Sequence, residues 1–250
     1  MGSRPFSAPH MYWVGMNLPR ASRSDLEEFN HFYEVIHAPE VLHHNPGFVH
    51  LHRYEILEAD PRGDLGPTFL AIYEATDEAA ERYIEREDGP PGDKPRYSSG
   101  PRVWEERALV WRMIWSRIPG TVIGSDPPSV EPKSIFIVGM EPGEGGEAEL
   151  QEFNTFYTGT HVGEVVATGG YDRGSRYELR RAFLHPGGRC PRYCAIYEGD
   201  EEVTEAVSNG VLHPTIPDPT RNLSAGPEVW GRRTTMWRHV FRSRGTNNLG

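Results

Sequence analysis

Hydrophobic and polar positions along the chain fall into two rhythms that follow one another twice. An apolar run, MYWVGMNL from Met11, comes first. From Leu26 to Val41 (LEEFNHFYEVIHAPEV) the apolar residues then recur every three to four positions, which predicts an amphipathic helix of about four turns. Residues 47–55 (GFVHLHRYE) and 69–74 (FLAIYE) read as strands, bounded by turn residues. A short acidic helix from Thr76, a loop rich in Pro and Gly, and a long closing strand carrying tryptophans complete the set. The order is βαββαβ, the split βαβ arrangement that folds into a four-stranded antiparallel sheet with both helices on one face.

The whole order then returns. SIFIVGM from Ser134 stands for the first strand, and LQEFNTFYTGTHVGEV, Leu150 to Val165, repeats the helix at an offset of 124. GYDRGSRYE at 170–178, YCAIYE at 193–198 and GDEEVTEAVSN from Gly199 follow in turn. GPEVW at 226–230 answers GPRVW at 100–104, and Trp237-Arg238 answers Trp111-Arg112 at an offset of 126. Several blocks kept in one order mark an internal duplication. The expected modules are 10–118 and 133–243, joined by a Pro-, Gly- and Ser-rich linker at 119–132. A single such sheet leaves one face uncovered, and two can cover one another or curl into a shared barrel. The expected fold class is therefore α+β: two tandem ferredoxin-like modules pairing their antiparallel sheets.

Composition narrows the partners. Hydrophobic residues make up 37% and charged residues 25%, a globular profile, and no apolar run approaches the length of a membrane span. A formal charge of −10 disfavours nucleic acid, which leaves small molecules or proteins, with a homodimer as one option. Arginine outnumbers lysine almost everywhere, as in a GC-rich bacterial coding bias. Cys190 and Cys194 read as free thiols of a reducing compartment, and MGSRPFSAPH has no signal-peptide layout, so a cytoplasmic protein is expected.

FNHFYEVIHAPEVL followed by PGFVHLHRYE resembles the EthD-like branch of the dimeric α/β-barrel superfamily, and the resemblance covers both copies. There, two ferredoxin-like modules pair through their sheets, usually as a homodimer; here the resemblance implies that one chain supplies the pair. The superfamily includes cofactor-free cyclases, monooxygenases, muconolactone isomerases and haem proteins, so the resemblance specifies fold more than activity.

On the helix, Asn30, Tyr33, His37 and Val41 fall on one stripe beside Phe29, Phe32 and Ile36, and Asn154, Tyr157, His161 and Val165 repeat it. An imidazole one turn from a phenol can move a proton and polarise a carbonyl, although each His can equally brace its helix against the sheet. His43, His44, His50 and His52 occur in the first copy only, facing Ala167, Thr168, Arg173 and Ser175 in the second. HxH is a weak metal signal, and no metal is expected. Alternation puts His50, His52 and Tyr54 on one strand face and Arg53 and Glu55 on the other. Arg53 and Arg176 could pair with Glu74 and Glu198 or bind a substrate carboxylate. Trp104 and Trp111, with other aromatics, could line an apolar pocket beneath long loops that differ between the copies.

These residues lead to the expectation of a cofactor-independent lyase, isomerase or cyclase acting on an apolar carbonyl compound of bacterial catabolism or secondary metabolism. His37 is its acid/base, Tyr33 its polarising partner, Asn30 the orienting amide, and His161 and Tyr157 are second-site candidates. His50, His52, Tyr54, Arg53, Trp104 and Trp111 are expected around the substrate. A cofactor-free monooxygenase and a non-catalytic small-molecule binder are the alternatives.

Overall fold

The computed structural model describes residues 6–63, 66–124 and 132–248, apart from the side chains of Asp93 and residues 246–248. Residues 125–131, which hold much of the expected linker, and the first five residues of the N-terminal reading lie outside the described residues.

After β1 (His10–Asn17), Ser22 starts the first helix with a capping box: its hydroxyl accepts from the Asp25 amide while the Asp25 carboxylate accepts from the Ser22 amide. The helix is not uniform. It runs as α1 (Arg23–Phe32), a π-helical turn at Tyr33–His37, and α2 (Ala38–His44). β2 (Phe48–Glu58), β3 (Phe69–Ala75), α3 (Asp77–Asp88), the single turn α4 (Arg102–Glu105) and β4 (Ala108–Arg117) follow. A two-residue strand, β5 (Ile123–Gly124), precedes the second set. That set repeats the first through β6 (Ser134–Glu141), α5 (Glu147–Phe156), a π turn at Tyr157–His161, α6 (Val162–Gly169), β7 (Arg173–Leu184), β8 (Tyr193–Gly199), α7 (Glu201–Ser208), α8 (Glu228–Gly231) and β9 (Thr234–Asn248). Gly170, at φ +70°, supplies the left-handed residue that ends α6.

All strand pairs are antiparallel, in the order β4-β1-β3-β2-β9-β6-β8-β7-β5, and a further β4–β7 pairing closes eight of the strands into a barrel. The junctions β2–β9 and β4–β7 join the two ferredoxin-like modules within one chain, so the barrel has no open edge and each sheet's second face is covered.

Alternation along each strand produces three apolar layers. Trp13, Trp111, Trp115 and Trp237 fill the barrel with Ile72, Ile137, Ile196 and Phe241. Outside it, Phe29, Phe32, Tyr33, Leu51 and Trp104 form the layer beneath the first helices, and Phe153, Tyr157, Val162 and Trp230 form its counterpart beneath the second. Gly139 pairs with Trp237 in the β6–β9 register, and a Cβ there would collide with the indole, so glycine is what lets that ring lie against the strand.

Candidate functional site

Each helical layer encloses a pocket between its π turn, the outer face of its sheet and its long loop. The first, a cavity of about 280 Å³, is walled by Tyr12, Val14 and Met16 of β1, Tyr73 of β3, Tyr33 and His37 of the π turn, and Trp104, Arg107 and Arg112. The second, of about 180 Å³, uses Phe136, Val138, Met140, Tyr197, Tyr157, His161, Arg233 and Arg238, the corresponding positions. The loops above them diverge in sequence but are tied alike. Ser98 donates from its amide to Glu40, and Ser224 to Glu164, each at 3.1 Å.

The π turn positions Tyr33 and His37. The Ala38 amide donates to the Tyr33 carbonyl, and that of Val162 to Tyr157, the i→i+5 pattern that widens a helix by one residue and often accompanies functional sites. This widening also breaks the apolar stripe inferred at a strict 3.6 period: Ile36 is 38% exposed. The His37 ring stands 4.4 Å from Trp104 and 5.2 Å edge-on to both Tyr33 and Tyr97. Burial, then the nearby Arg107 guanidinium, lowers its pKa to about 4, so the ring is neutral at pH 7; His161 is held at about 4 by burial and Arg233.

Tyr33 does not pair with His37. Its hydroxyl shares a 2.8 Å hydrogen bond with Tyr73, and burial raises its pKa to about 12. Behind the ring, the Arg53 guanidinium lies 4.2 Å from the centroid and donates to Asn30 and Glu34, so Asn30 and Arg53 brace Tyr33 and do not line the cavity. Arg176 does the same for Tyr157, donating to Asn154 and Thr158. The expected Arg53–Glu74 and Arg176–Glu198 pairs are corrected by strand alternation, which turns both glutamates to the barrel side. There Glu74 accepts from His52 at 2.6 Å and from the Phe6 and Ala8 amides, and Glu198 pairs with Arg173.

The histidines peculiar to the first half are not one constellation. His43 and His44 are exposed at the end of α2, while His50 and His52 occupy barrel-side positions of β2 with Tyr54. Trp111 stacks among the barrel indoles, 5.0 Å from Trp237. The expectation that His50, His52, Tyr54 and Trp111 share a pocket with His37 is therefore corrected, because the sheet itself separates them. Trp104, Tyr33 and His37 are brought together as expected, and so are Tyr157 and His161. Among the described residues no group of three His, Cys, Asp or Glu side chains is placed to hold a metal ion. Cys190 and Cys194 are free, and no described helix is long and apolar enough to cross a membrane.

Arginines complete both pockets, and sequence reasoning missed them. Arg112 donates to the Tyr12 hydroxyl at 2.9 Å, to Tyr83 at 3.0 Å and to Glu87 at 2.8 Å, with Lys94 on the same carboxylate. Burial works against its charge, but these three partners outweigh it and raise the pKa. Arg107 lies 3.6 Å over the Trp104 ring and bonds the Trp104 carbonyl, with no carboxylate in salt-bridge range among the described residues; Arg233 on Trp230 repeats this at 4.0 Å. The retained Trp111-Arg112 and Trp237-Arg238 pairs were the available signal.

No family profile and no curated protein matches the chain. Among solved structures, an anthrone oxidase-like protein aligns with 98% of this chain and 95% of its own at TM-score 0.51 and 12% identity. A heme-binding protein from Thermus thermophilus aligns over 94% and 90% at TM-score 0.43 and 9% identity. A DypB variant in complex with heme, from Rhodococcus jostii, aligns over 97% and 94% at TM-score 0.47 and 11% identity. The first of these likenesses establishes the fold, a ferredoxin-like dimeric α/β barrel.

Two expectations, the cofactor-independent lyase, isomerase or cyclase and the absence of a cofactor, are corrected, because a fold shared at 12% identity fixes neither an activity nor a cofactor. The first pocket also withholds the acid–base pair on which that chemistry depended, since the Tyr33 hydroxyl is hydrogen-bonded to Tyr73 and not to His37, and His37 is too weakly basic. Haem itself does not fit the cavities as they stand. At about 280 and 180 Å³ they lie below the usual range for a drug-sized ligand, let alone a tetrapyrrole, and the His37 Nδ1 is sealed without a partner among the described residues.

Proposed function

We propose that this barrel is a small-molecule-binding protein whose first pocket takes a flat aromatic compound of one or two rings, presenting a hydroxyl or carbonyl oxygen to Arg107. The observation that carries this reading is the Arg107 guanidinium, without a carboxylate partner among the described residues, at the wall of an aromatic cavity of about 280 Å³. A planar ligand suits walls made by Tyr33, Tyr73, His37 and Trp104, whose faces and edges offer stacking and T-shaped contacts. The guanidinium gives its oxygen a charge-assisted donor. Neutral His37 offers a second polar group without the desolvation cost of a cation. The Arg112–Glu87–Lys94 group rigidifies the far wall, because its donors and acceptors already satisfy one another.

In this reading the halves are copies of one module of the EthD-like branch, 10–118 and 133–243. Their common element order and the position-for-position match of the two pockets support this. Each pocket is walled by a single half, so a homodimer is not needed to complete one.

Calorimetric titration of the purified chain with 2-naphthol tests the reading. Wild type should bind it, and Arg107→Gln should weaken binding about tenfold, the loss of one charge-assisted hydrogen bond, with an unchanged melting temperature. Failure of 2-naphthol to bind, or equal affinity in the variant, would exclude this assignment.

A further inference from the structure

The inner arginine of the first pocket is satisfied by three side chains, and all three are apolar at the matching positions of the second half. Tyr12, Tyr83 and Glu87 correspond, at the offset of 124 that relates Tyr73 to Tyr197, to Phe136, Val207 and Val211. Phe136 occupies the equivalent wall of the second cavity, Val207 is buried in the layer below, and Val211 is 80% exposed just beyond α7. The arginine itself is kept. Arg238 lines the second cavity, and among the described residues its guanidinium has only Thr235 Oγ1 at 3.4 Å.

Arg233 adds a second free cation. It lies over Trp230, donates to that residue's carbonyl, and keeps a buried Nε without a partner. Among the described residues neither Arg233 nor Arg238 has a carboxylate within salt-bridge range. The acidic residues nearby are otherwise engaged. Asp218, on the pocket wall, sits 3.9 Å from Arg221, and Asp60 binds Arg62 and the Arg238 amide. Burial lowers the pKa of both arginines, followed for Arg238 by repulsion from Arg62. Two half-buried guanidinium groups face one cavity, and one of them, Arg238, lacks the three partners that Arg112 retains, which leaves charge unbalanced in the empty protein. An entering anion would balance it. Val138, Met140, Ile216 and Leu223 supply apolar wall for the rest of such a molecule, beside His161, Asp218 and Arg221 at the polar side of the cavity.

We infer that the second pocket is an oxyanion site that takes a small apolar molecule headed by a phosphate or carboxylate, held through Arg233 and Arg238. The two halves then bind different ligand classes from one scaffold. The first presents a pre-satisfied polar wall and a single donor arginine, and the second presents paired donor arginines.

Titration of the full chain with phenyl phosphate and with benzoate tests the proposal, with benzyl alcohol as the uncharged control. At least one of the anions should bind, and benzyl alcohol should not. Arg238→Gln should weaken the bound anion at least about tenfold, and Phe136→Tyr, which restores a phenol beside the arginine at little change of shape, should weaken it about threefold. Arg107→Gln should leave it unchanged. If Arg238→Gln fails to fold, Phe136→Tyr decides alone. Absence of binding by both anions, equal binding of benzyl alcohol, unchanged affinity in Phe136→Tyr, or loss of anion binding in Arg107→Gln would each overturn the assignment.

Discussion

The first and second pockets share a π turn, a neutral histidine, a tryptophan under a stacked arginine, and a loop tied by serine to glutamate, yet they treat the same inner arginine in opposite ways. Arg112 is closed into a network by Tyr12, Tyr83 and Glu87, whereas Arg238 faces Phe136 and a cavity. A shared scaffold therefore does not mean shared chemistry. On the proposed reading, what the fold needs persists in both halves and ligand choice is set where the halves differ.

The sharpest way to break this comparison is to remove the arginine from each side. Arg112→Met should lower stability by about 2–4 kcal/mol, because it leaves the mostly buried Glu87 carboxylate with Lys94 alone and takes the arginine donor from two phenols. Arg238→Met should be neutral or stabilising, since among the described residues its guanidinium bonds only Thr235 Oγ1 and no carboxylate lies within salt-bridge range. Urea denaturation of both variants measures the difference, and equal losses would show that Arg238 is as structural as Arg112.

Acid unfolding probes what the pockets hold in common. His37 and His161 sit at about 4 in the folded protein and near 6.5 when unfolded, so the unfolded chain takes up more protons in between. Their contribution is complete above about pH 6.5 and is lost as pH falls toward 4, by roughly 2 kcal/mol for each, discounted for partial exposure. His37→Gln and His161→Gln should each flatten the stability profile in that window by the same amount. A large inequality would mean that the two histidines are not equivalent.

The smallest contrast lies in one hydroxyl. Tyr33 is hydrogen-bonded to Tyr73, while the buried Tyr157 hydroxyl has no partner among the described residues. Tyr33→Phe should cost about 1 kcal/mol, and Tyr157→Phe should cost nothing or stabilise the protein slightly, as read by thermal melting.

Much of the fold was legible in the chain because its elements follow simple periods and occur twice. Alternation on β2 correctly divided Arg53 from His52 and Tyr54. It could not say which face met the helices and which met the other sheet, so His50, His52, Tyr54 and Trp111 were placed on the wrong side relative to His37. The π turn escaped for a related reason: a strict 3.6 period has no room for an inserted residue, and nothing in FYEVIH announces one. Tyr33, His37 and Trp104 were found because aromatic and imidazole groups stand out on a helix stripe or in a repeated motif. Arg107, Arg112 and their counterparts were missed because an arginine near a strand end looks like ordinary surface charge. The informative signal was a mismatch between copies, an arginine preserved beside Tyr12 in one half and beside Phe136 in the other.

Crossed titration tests the central claim most directly: 2-naphthol and the better-binding of phenyl phosphate and benzoate, each measured by calorimetry against wild type, Arg107→Gln and Arg238→Gln. Two independent sites of different class predict that Arg107→Gln loses affinity for 2-naphthol alone and Arg238→Gln for the anion alone. Parallel loss of both ligands in either folded variant, or no loss in both, would contradict it.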